Sequence, residues 1–450
     1  MKYISMLGLG PDNEGYTELD YQIDGQDKTI VTRFVQRAEI ELLGKDNFEN
    51  IYILCTDESH KNYYHDLYDE IRDELGIADK LINSVKIGRI DGIEGAWKLF
   101  ETVNGLINHG DTLVFDLTHG WRSLSIILST ALNYLIKARN NIHLKHVFYG
   151  EKGKKSYSSP FAPGHIIDIK DFFTVHEWAD GVTRLTEIAD ATKLAQLAQG
   201  DANHAFGNLK DEKLINALIT LTETLKNIDV NRVARNTQNA LDVLNASQDS
   251  SSGIEKDLLK LIENKFLPLA VNTTGHYDID YFLHQLEIIR MLNQHKLYMQ
   301  SFTVIRELIG SIGMLGASEN FQKNMWDNEA ADKRINFADL FVRMMTFSKE
   351  FQFKSEKDRN RYDKLANSIC FQIEKIGFLE NLKATTKKIK NVRDGFDHAW
   401  TGKGDKAVRK MGDIASLAQE AEMFLTSLIK RLFQKEDNKE TKQQRIEHEN

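Results

Sequence analysis

Near residue 175 the hydrophobic period of this chain changes, and that change constrains the fold more than any other feature. Before it, short apolar runs of strand type alternate with stretches of helical spacing. After it, strand-like runs disappear and helical patterns rich in Leu, Ala and Asn take over. The first part therefore reads as an α/β domain and the second as all-helical. A chain of 450 residues has room for roughly two or three domains, each with its own core.

In the first part, strands are expected at Tyr3–Leu9, Ile51–Cys55, Val85–Ile90, Thr112–Leu117 and Leu144–Tyr149, with His165–Ile169 closing the sheet. Helices are expected at Thr29–Leu43, through Ile30, Phe34, Ala38 and Leu42, and at Tyr64–Leu75, Ala96–Ile107 and Ser123–Ala138. Continuously apolar strands between helices predict a parallel sheet covered on both faces. In the second part, Leu185–Ala198, Lys213–Leu225, Phe282–Gly313, Arg359–Ile376 and Ala407–Phe433 read as helices. Ser247–Gly253 reads as a loop and residues 435–450 as a polar tail. The chain has only 4 Pro, none after Pro268, so long helices are permitted there. No internal repeat of fixed period is found.

Composition removes several classes of function. The 2 Cys exclude a disulfide scaffold and fit a reducing cytoplasm. No stretch of 18 apolar residues occurs, so no membrane span is expected, and residues 1–10 lack the pattern of a signal peptide. His60 and His65 lack Cys or carboxylate partners at ligand spacing, so no metal is expected. The net charge of −8 argues against a protein that coats nucleic acid through bulk positive charge.

In open α/β sheets, ligands sit beyond the carboxyl ends of the strands. Here those ends are polar and small: Gly8 and Gly10 after the first strand, Thr56 and Asp57 after the second, Asp91-Gly92 before a helix, and Asp116-Leu117-Thr118-His119-Gly120-Trp121-Arg122-Ser123 after Thr112–Leu117. The last run is the most informative. A strand enters a turn at Gly120 and a helix starts at once, so its free N–H groups favour an anion such as phosphate. Thr118, His119 and Arg122 add side-chain donors. The bland alternative is that Thr118 and Ser123 cap the helix while His119 packs locally. Neither a dinucleotide fingerprint nor a Walker loop is present: Gly8-x-Gly10-x4-Gly15 brings its third glycine too late, and no Gly-Lys-Ser or Gly-Lys-Thr occurs.

The run Asp116-Leu117-Thr118-His119-Gly120 resembles the Asp-x-Thr-His-Gly motif of a CRISPR-associated family. Further matches are Tyr21–Gly25 with Thr32–Gln36, and Asp91-Gly92 with Trp97-x-x-Phe100. Together they resemble the CARF sensor domain, a Rossmann-like fold that binds cyclic oligoadenylates in type III CRISPR defence. The resemblance implies ring binding at Gly8, Gly10, Thr118, His119, Gly120 and Arg122. Thr56 and Asp57 are added only by strand order.

The helical part holds two Arg-x4-His pairs, Arg393/His398 and Arg290/His295. This spacing resembles the catalytic signature of HEPN ribonucleases. Arg290 and His295 lie within an apolar-periodic stretch, where they flank a packed face. Arg393 and His398 come near the end of the domain, where that family's motif falls, so they are the expected catalytic pair. The family motif often has Asn after its Arg; here Asp394 stands there, which puts the level of activity in question.

The combined resemblance is to CARF–HEPN ribonucleases. It implies a sensor at 1–175, a helical connector at 176–289, a HEPN domain at 290–434 and the tail at 435–450. It implies a cytoplasmic homodimer or higher homo-oligomer, activated by a cyclic oligoadenylate, with tetra-adenylate expected ahead of hexa-adenylate. Such an enzyme cuts single-stranded RNA without a metal, leaving 2′,3′-cyclic phosphate and 5′-hydroxyl ends. A non-catalytic ring sensor, or a sensor that degrades its own ring, is the alternative. Charge fits the first reading: residues 290–450 carry 29 Lys plus Arg against 23 Asp plus Glu, a net of +6, while residues 1–289 carry 29 against 43, a net of −14.

Overall fold

This computed structural model describes residues 1–10, 15–88, 92–119, 122–138, 142–154, 160–200, 206–251, 253–271, 275–316, 328–397 and 411–448. Side chains are described for all of these except 122–125, 328–333, 411–412 and 435–448. The chain divides into two compact units, Met1–Glu177 and Trp178–Asn450. The first is built on a β-sheet and the second is helical.

The sheet has eight strands: β1 (Lys2–Leu7), β2 (Leu19–Ile23), β3 (Thr29–Thr32), β4 (Asn50–Cys55), β5 (Ile82–Lys86), β6 (Thr112–Asp116), β7 (His143–Lys152) and β8 (Ala162–Asp168). Their order is β3-β2-β8-β7-β6-β1-β4-β5. The run from β7 to β5 is parallel, as the apolar strands predict. The other edge departs from that expectation: β8 runs antiparallel to β7 and β3 antiparallel to β2. Helices α1 (Val35–Leu43), α4 (Ile93–Leu106) and α5 (Arg122–Ala138) cover the sheet, with short α2 (Asp57–Ser59) and α3 (His65–Asp69) joined by π-type turns at His60–Tyr64 and Glu70–Glu74.

The pleat sorts β1 between two cores. Tyr3 and Leu7 pack on one face with Phe34, Ala38, Ile53 and Phe148. Ile4 and Met6 pack on the other with Leu54, Phe115, Leu128 and Leu132. The helical reading of Thr29–Leu43 fails in its first half. Thr29–Thr32 is a β-branched strand that alternates exposed and buried residues, and the helix starts only at Val35. Ile30 matched the helical spacing by coincidence. The strand at Leu19–Ile23 carries no long apolar run and escaped the reading. It pairs β8, where a Cβ on Gly164 would stand 2.4 Å from the Tyr21 ring.

The second unit contains α7 (Thr192–Ala198), α8 (Glu212–Lys226), α9 (Val230–Ser250), α10 (Gly253–Phe266), α11 (Ile279–Gln294), α12 (Tyr298–Met314), α13 (Asn328–Phe347), α14 (Glu356–Lys375), α15 (Leu379–Asp397) and α16 (Met411–His448); α6 (Lys170–Ile188) leads into it. Two expectations are corrected. Ser247–Ser250 belongs to α9, its serine hydroxyls bonding back to carbonyls of the same helix. The polar stretch after residue 434 continues α16 as far as His448. The Phe282–Gly313 pattern is two helices, broken at Lys296, whose φ is +59°. Buried α12 packs close to α13 through small residues: a Cβ on Gly313 would meet the Phe341 ring at 2.6 Å.

Candidate functional site

The first candidate site lies where strand order reverses about β1, between β6 and β4. Such a switch point opens a crevice at the carboxyl ends of the strands. The motif after β6 is built into the sheet residue by residue. Ser5 and Asp116 are register partners, and Ser5 Oγ donates to Asp116 Oδ2 at 2.6 Å. Asp116 Oδ1 accepts the Thr118 N–H at 2.8 Å, turning the chain off the strand. Thr118 Oγ1 accepts the Gly150 N–H of β7 at 2.7 Å. Asp116 is thus a buried staple, and Thr118 ties the turn to the neighbouring strand.

His119 then faces Gly8. A Cβ on Gly8 would lie 3.5 Å from the His119 Cβ, an ordinary van der Waals contact. The Tyr16 ring meets the imidazole edge-on at 5.2 Å, and Tyr16 Oη donates to the Gly8 carbonyl at 3.2 Å. Tyr63 and Phe34 pack on Tyr16. His119 Nε2 is sealed from solvent and has no hydrogen-bond partner among the described residues. Burial holds this imidazole below its ordinary pKa, opposed by the Asp116 carboxylate. Gly10 takes φ +76°, a conformation suited to glycine, where the chain leaves β1.

Thr56 and Asp57 are otherwise engaged. Thr56 caps α2 in a reciprocal box with Ser59: Thr56 Oγ1 accepts the Ser59 N–H at 3.1 Å, and Ser59 Oγ accepts the Thr56 N–H at 3.0 Å. Asp57 is exposed and pairs with Lys86 at 3.1 Å. Gly120 lies outside the described residues, as does Asp91. Arg122 is the first residue of α5, and its side chain is likewise outside. The sequence analysis missed Tyr16 and Tyr63. They sit in no motif, and only the fold gathers them around His119.

The second candidate site lies in the helical unit. Arg393 sits in the last turn and a half of α15, and His398 follows its end, outside the described residues. Arg393 Nη2 is 4.0 Å from Asp397, and Asp394 pairs with Lys390. Arg393 lines a cavity of about 190 Å3 together with Arg306, Arg343, Lys390, Thr346 and Thr386. Arg306 is held by Glu307 and by Asp339.

The other Arg-x4-His pair has a different setting. His295 ends α11, is 3% exposed and stacks on Phe266. Burial and the nearby Lys265 lower its pKa to about 4. Arg290 is tied to Glu287 and, at 3.1 Å, to Glu422 of α16. Among the described residues, no three His, Cys, Asp or Glu converge as metal ligands, and no helix is long and apolar enough to cross a membrane.

No family model matches the chain. It is 20% identical over 246 residues to a CRISPR-associated protein of Methanocaldococcus jannaschii, a match covering 44% of this chain and 38% of that protein. The chain thus spans well under half the length of this curated relative. Among solved structures it is similar to Enterococcus italicus Csm6 bound to cyclic hexa-2′-fluoro-hexa-dAMP, with 12% identity, a TM-score of 0.43, and coverage of 96% of this chain and 94% of that one.

Proposed function

We propose that this protein is a cyclic-oligoadenylate-activated ribonuclease of type III CRISPR defence. The α/β unit is the sensor and the helical unit cuts single-stranded RNA. One observation carries the reading: Arg393, the arginine of the Arg-x4-His motif, lines a cavity rich in cations instead of being packed away. The sequence likeness to a CRISPR-associated protein supports the defence setting.

At the sensor site, α5 begins at Arg122, six residues after the end of β6, and its N-terminal N–H groups and dipole favour a phosphate. The Asp116 and Thr118 bonds hold the turn after β6 in place before any ligand arrives. Gly8, Gly10, His119, Gly120 and Arg122 are the residues assigned to the ring. At the helical site, RNA supplies its own nucleophile, the 2′-hydroxyl, so cleavage to a 2′,3′-cyclic phosphate needs no metal. His398 moves the proton to or from the reacting oxygens. Arg393 stabilises the charge that builds on phosphorus. The resemblance to HEPN ribonucleases implies a composite site shared by two copies of the chain.

A second reading, a ring sensor without nuclease activity, draws on Asp394 and Asp397, which offset Lys390 and Arg393. Fluorescent single-stranded RNA incubated with the protein and cyclic tetra- or hexa-adenylate separates the two. Activator-dependent cleavage is expected. Intact RNA with both rings, alongside calorimetric ring binding, would replace the first reading by the second.

A further inference from the structure

Arg343 of α13 stands apart from the other cations of the Arg393 cavity. Arg306 is offset by Glu307 and Asp339, Lys390 by Asp394, and Arg393 by Asp397. Arg343 has no carboxylate within 4.0 Å among the described residues; its guanidinium lies 5.9 Å from the centre of the Phe351 ring. It also lines a second cavity, of about 260 Å3, with Phe351, Phe353, Lys354 and Tyr362. Phe351 and Phe353 meet edge to face at 5.1 Å in the segment leading to α14. Arg343, with no carboxylate within 4.0 Å among the described residues, therefore borders both the cavity of Arg393 and an aromatic one.

A nucleotide has the same two halves, a phosphate that seeks planar donors and a base whose flat face stacks on aromatic rings. Asp339 and Asp358 also border the aromatic cavity, which disfavours a phosphate there and leaves it to the base. We infer that Arg343, Phe351 and Phe353 form a nucleotide subsite that holds the RNA residue next to the bond cut at Arg393. Arg343 takes the phosphate on the Arg393 side and the two phenylalanines take the base. This inference rests on RNA being the ligand of the helical site, and Arg343 is here a substrate-binding residue, not a catalytic one.

The test uses the full chain and a fluorescent 2′-O-methyl oligoribonucleotide, which binds but cannot be cut, followed by anisotropy over a salt series with and without cyclic tetra-adenylate. Arg343→Ala is expected to weaken binding about tenfold and to reduce the salt slope by about 0.7, the value of one single-strand phosphate contact. Arg343→Lys restores the slope but only part of the affinity, because an ammonium lacks the flat stacking face. Phe351→Ala weakens binding with the slope unchanged. Arg232→Ala, at an exposed position of α9, leaves both as in the parent, and melting curves confirm that each variant is folded. A parent that binds no RNA, or an Arg343→Ala variant with the parent's affinity and slope, overturns the subsite. Arg343-dependent binding by a parent that cuts no RNA upholds the subsite and overturns the nuclease reading. Activator-dependent cleavage with Arg343 irrelevant to binding does the reverse.

Discussion

Ser5 donates its hydroxyl proton to the carboxylate of Asp116 at 2.6 Å, across two neighbouring parallel strands in the middle of the sheet. Both residues are buried, so the bond is made in the core. The same carboxylate holds the Thr118 N–H, and Thr118 in turn holds Gly150. The first and third residues of the Asp-x-Thr-His run thus hold the turn in shape, and the fourth, His119, packs against Gly8 and Tyr16.

Asp116→Ala leaves the Ser5 hydroxyl and the Thr118 N–H without their partner in a buried setting. A loss of about 3 kcal/mol is expected in the unfolding of the α/β unit. Urea melts followed by circular dichroism check this. Thr118→Val removes the single bond to Gly150 and should cost about 1 kcal/mol, with weaker ring binding by calorimetry.

Glu39 of α1 is fully buried and accepts the Tyr3 hydroxyl at 2.6 Å. Burial, reinforced by the Asp116 charge, pushes its carboxyl well above the ordinary glutamate value of 4.5. The neutral acid is therefore the form that suits the fold. Stability from this group is complete below about pH 4.5 and declines as pH rises toward the elevated folded value. Glu39→Gln cannot ionise, so its stability relative to the parent should improve on going from pH 5 to pH 7. The limit is about 1.4 kcal/mol per pH unit within that window. Chemical denaturation at several pH values reads the difference, and a constant offset would contradict the assignment.

The two Arg-x4-His pairs should separate cleanly. His398→Ala is expected to reduce activator-dependent RNA cleavage by at least about a hundredfold while the melting temperature stays unchanged. His295→Ala opens a hole beside Phe266 and should cost about 2 kcal/mol of stability while cleavage persists. The His295 imidazole is held neutral, so the parent should also lose stability as pH falls from about 6.5 toward 4, a loss absent from a His295→Asn variant.

Asp394 neutralises Lys390 at the rim of the Arg393 cavity. Asp394→Asn frees that ammonium for RNA. Affinity for single-stranded RNA should rise about threefold at low salt, and the gain should shrink as salt is added. Cleavage progress curves at two ionic strengths measure it.

The sequence by itself determined the change from an α/β unit to a helical one, the parallel strands β1, β4, β6 and β7, and the polar run after β6, while β5 lies at Ile82–Lys86, three residues before the expected Val85 start. All of these are local: an apolar period of two or of 3.6 is written along one segment and survives whatever the segment packs against. It also marked both Arg-x4-His pairs, without the burial and ion pairs that give His295 and Arg290 a different setting from Arg393. Tertiary structure decided what depends on residues far apart in the chain. Strand order brought Leu19–Ile23 to β8 and Glu39 beside Asp116. Chain folding placed Gly150 against Thr118, and Tyr16 and Tyr63 around His119. Helix packing gathered Arg306, Arg343 and Arg393 from α12, α13 and α15 around one cavity. No spacing along the chain encodes such meetings, because they follow from which apolar faces close together.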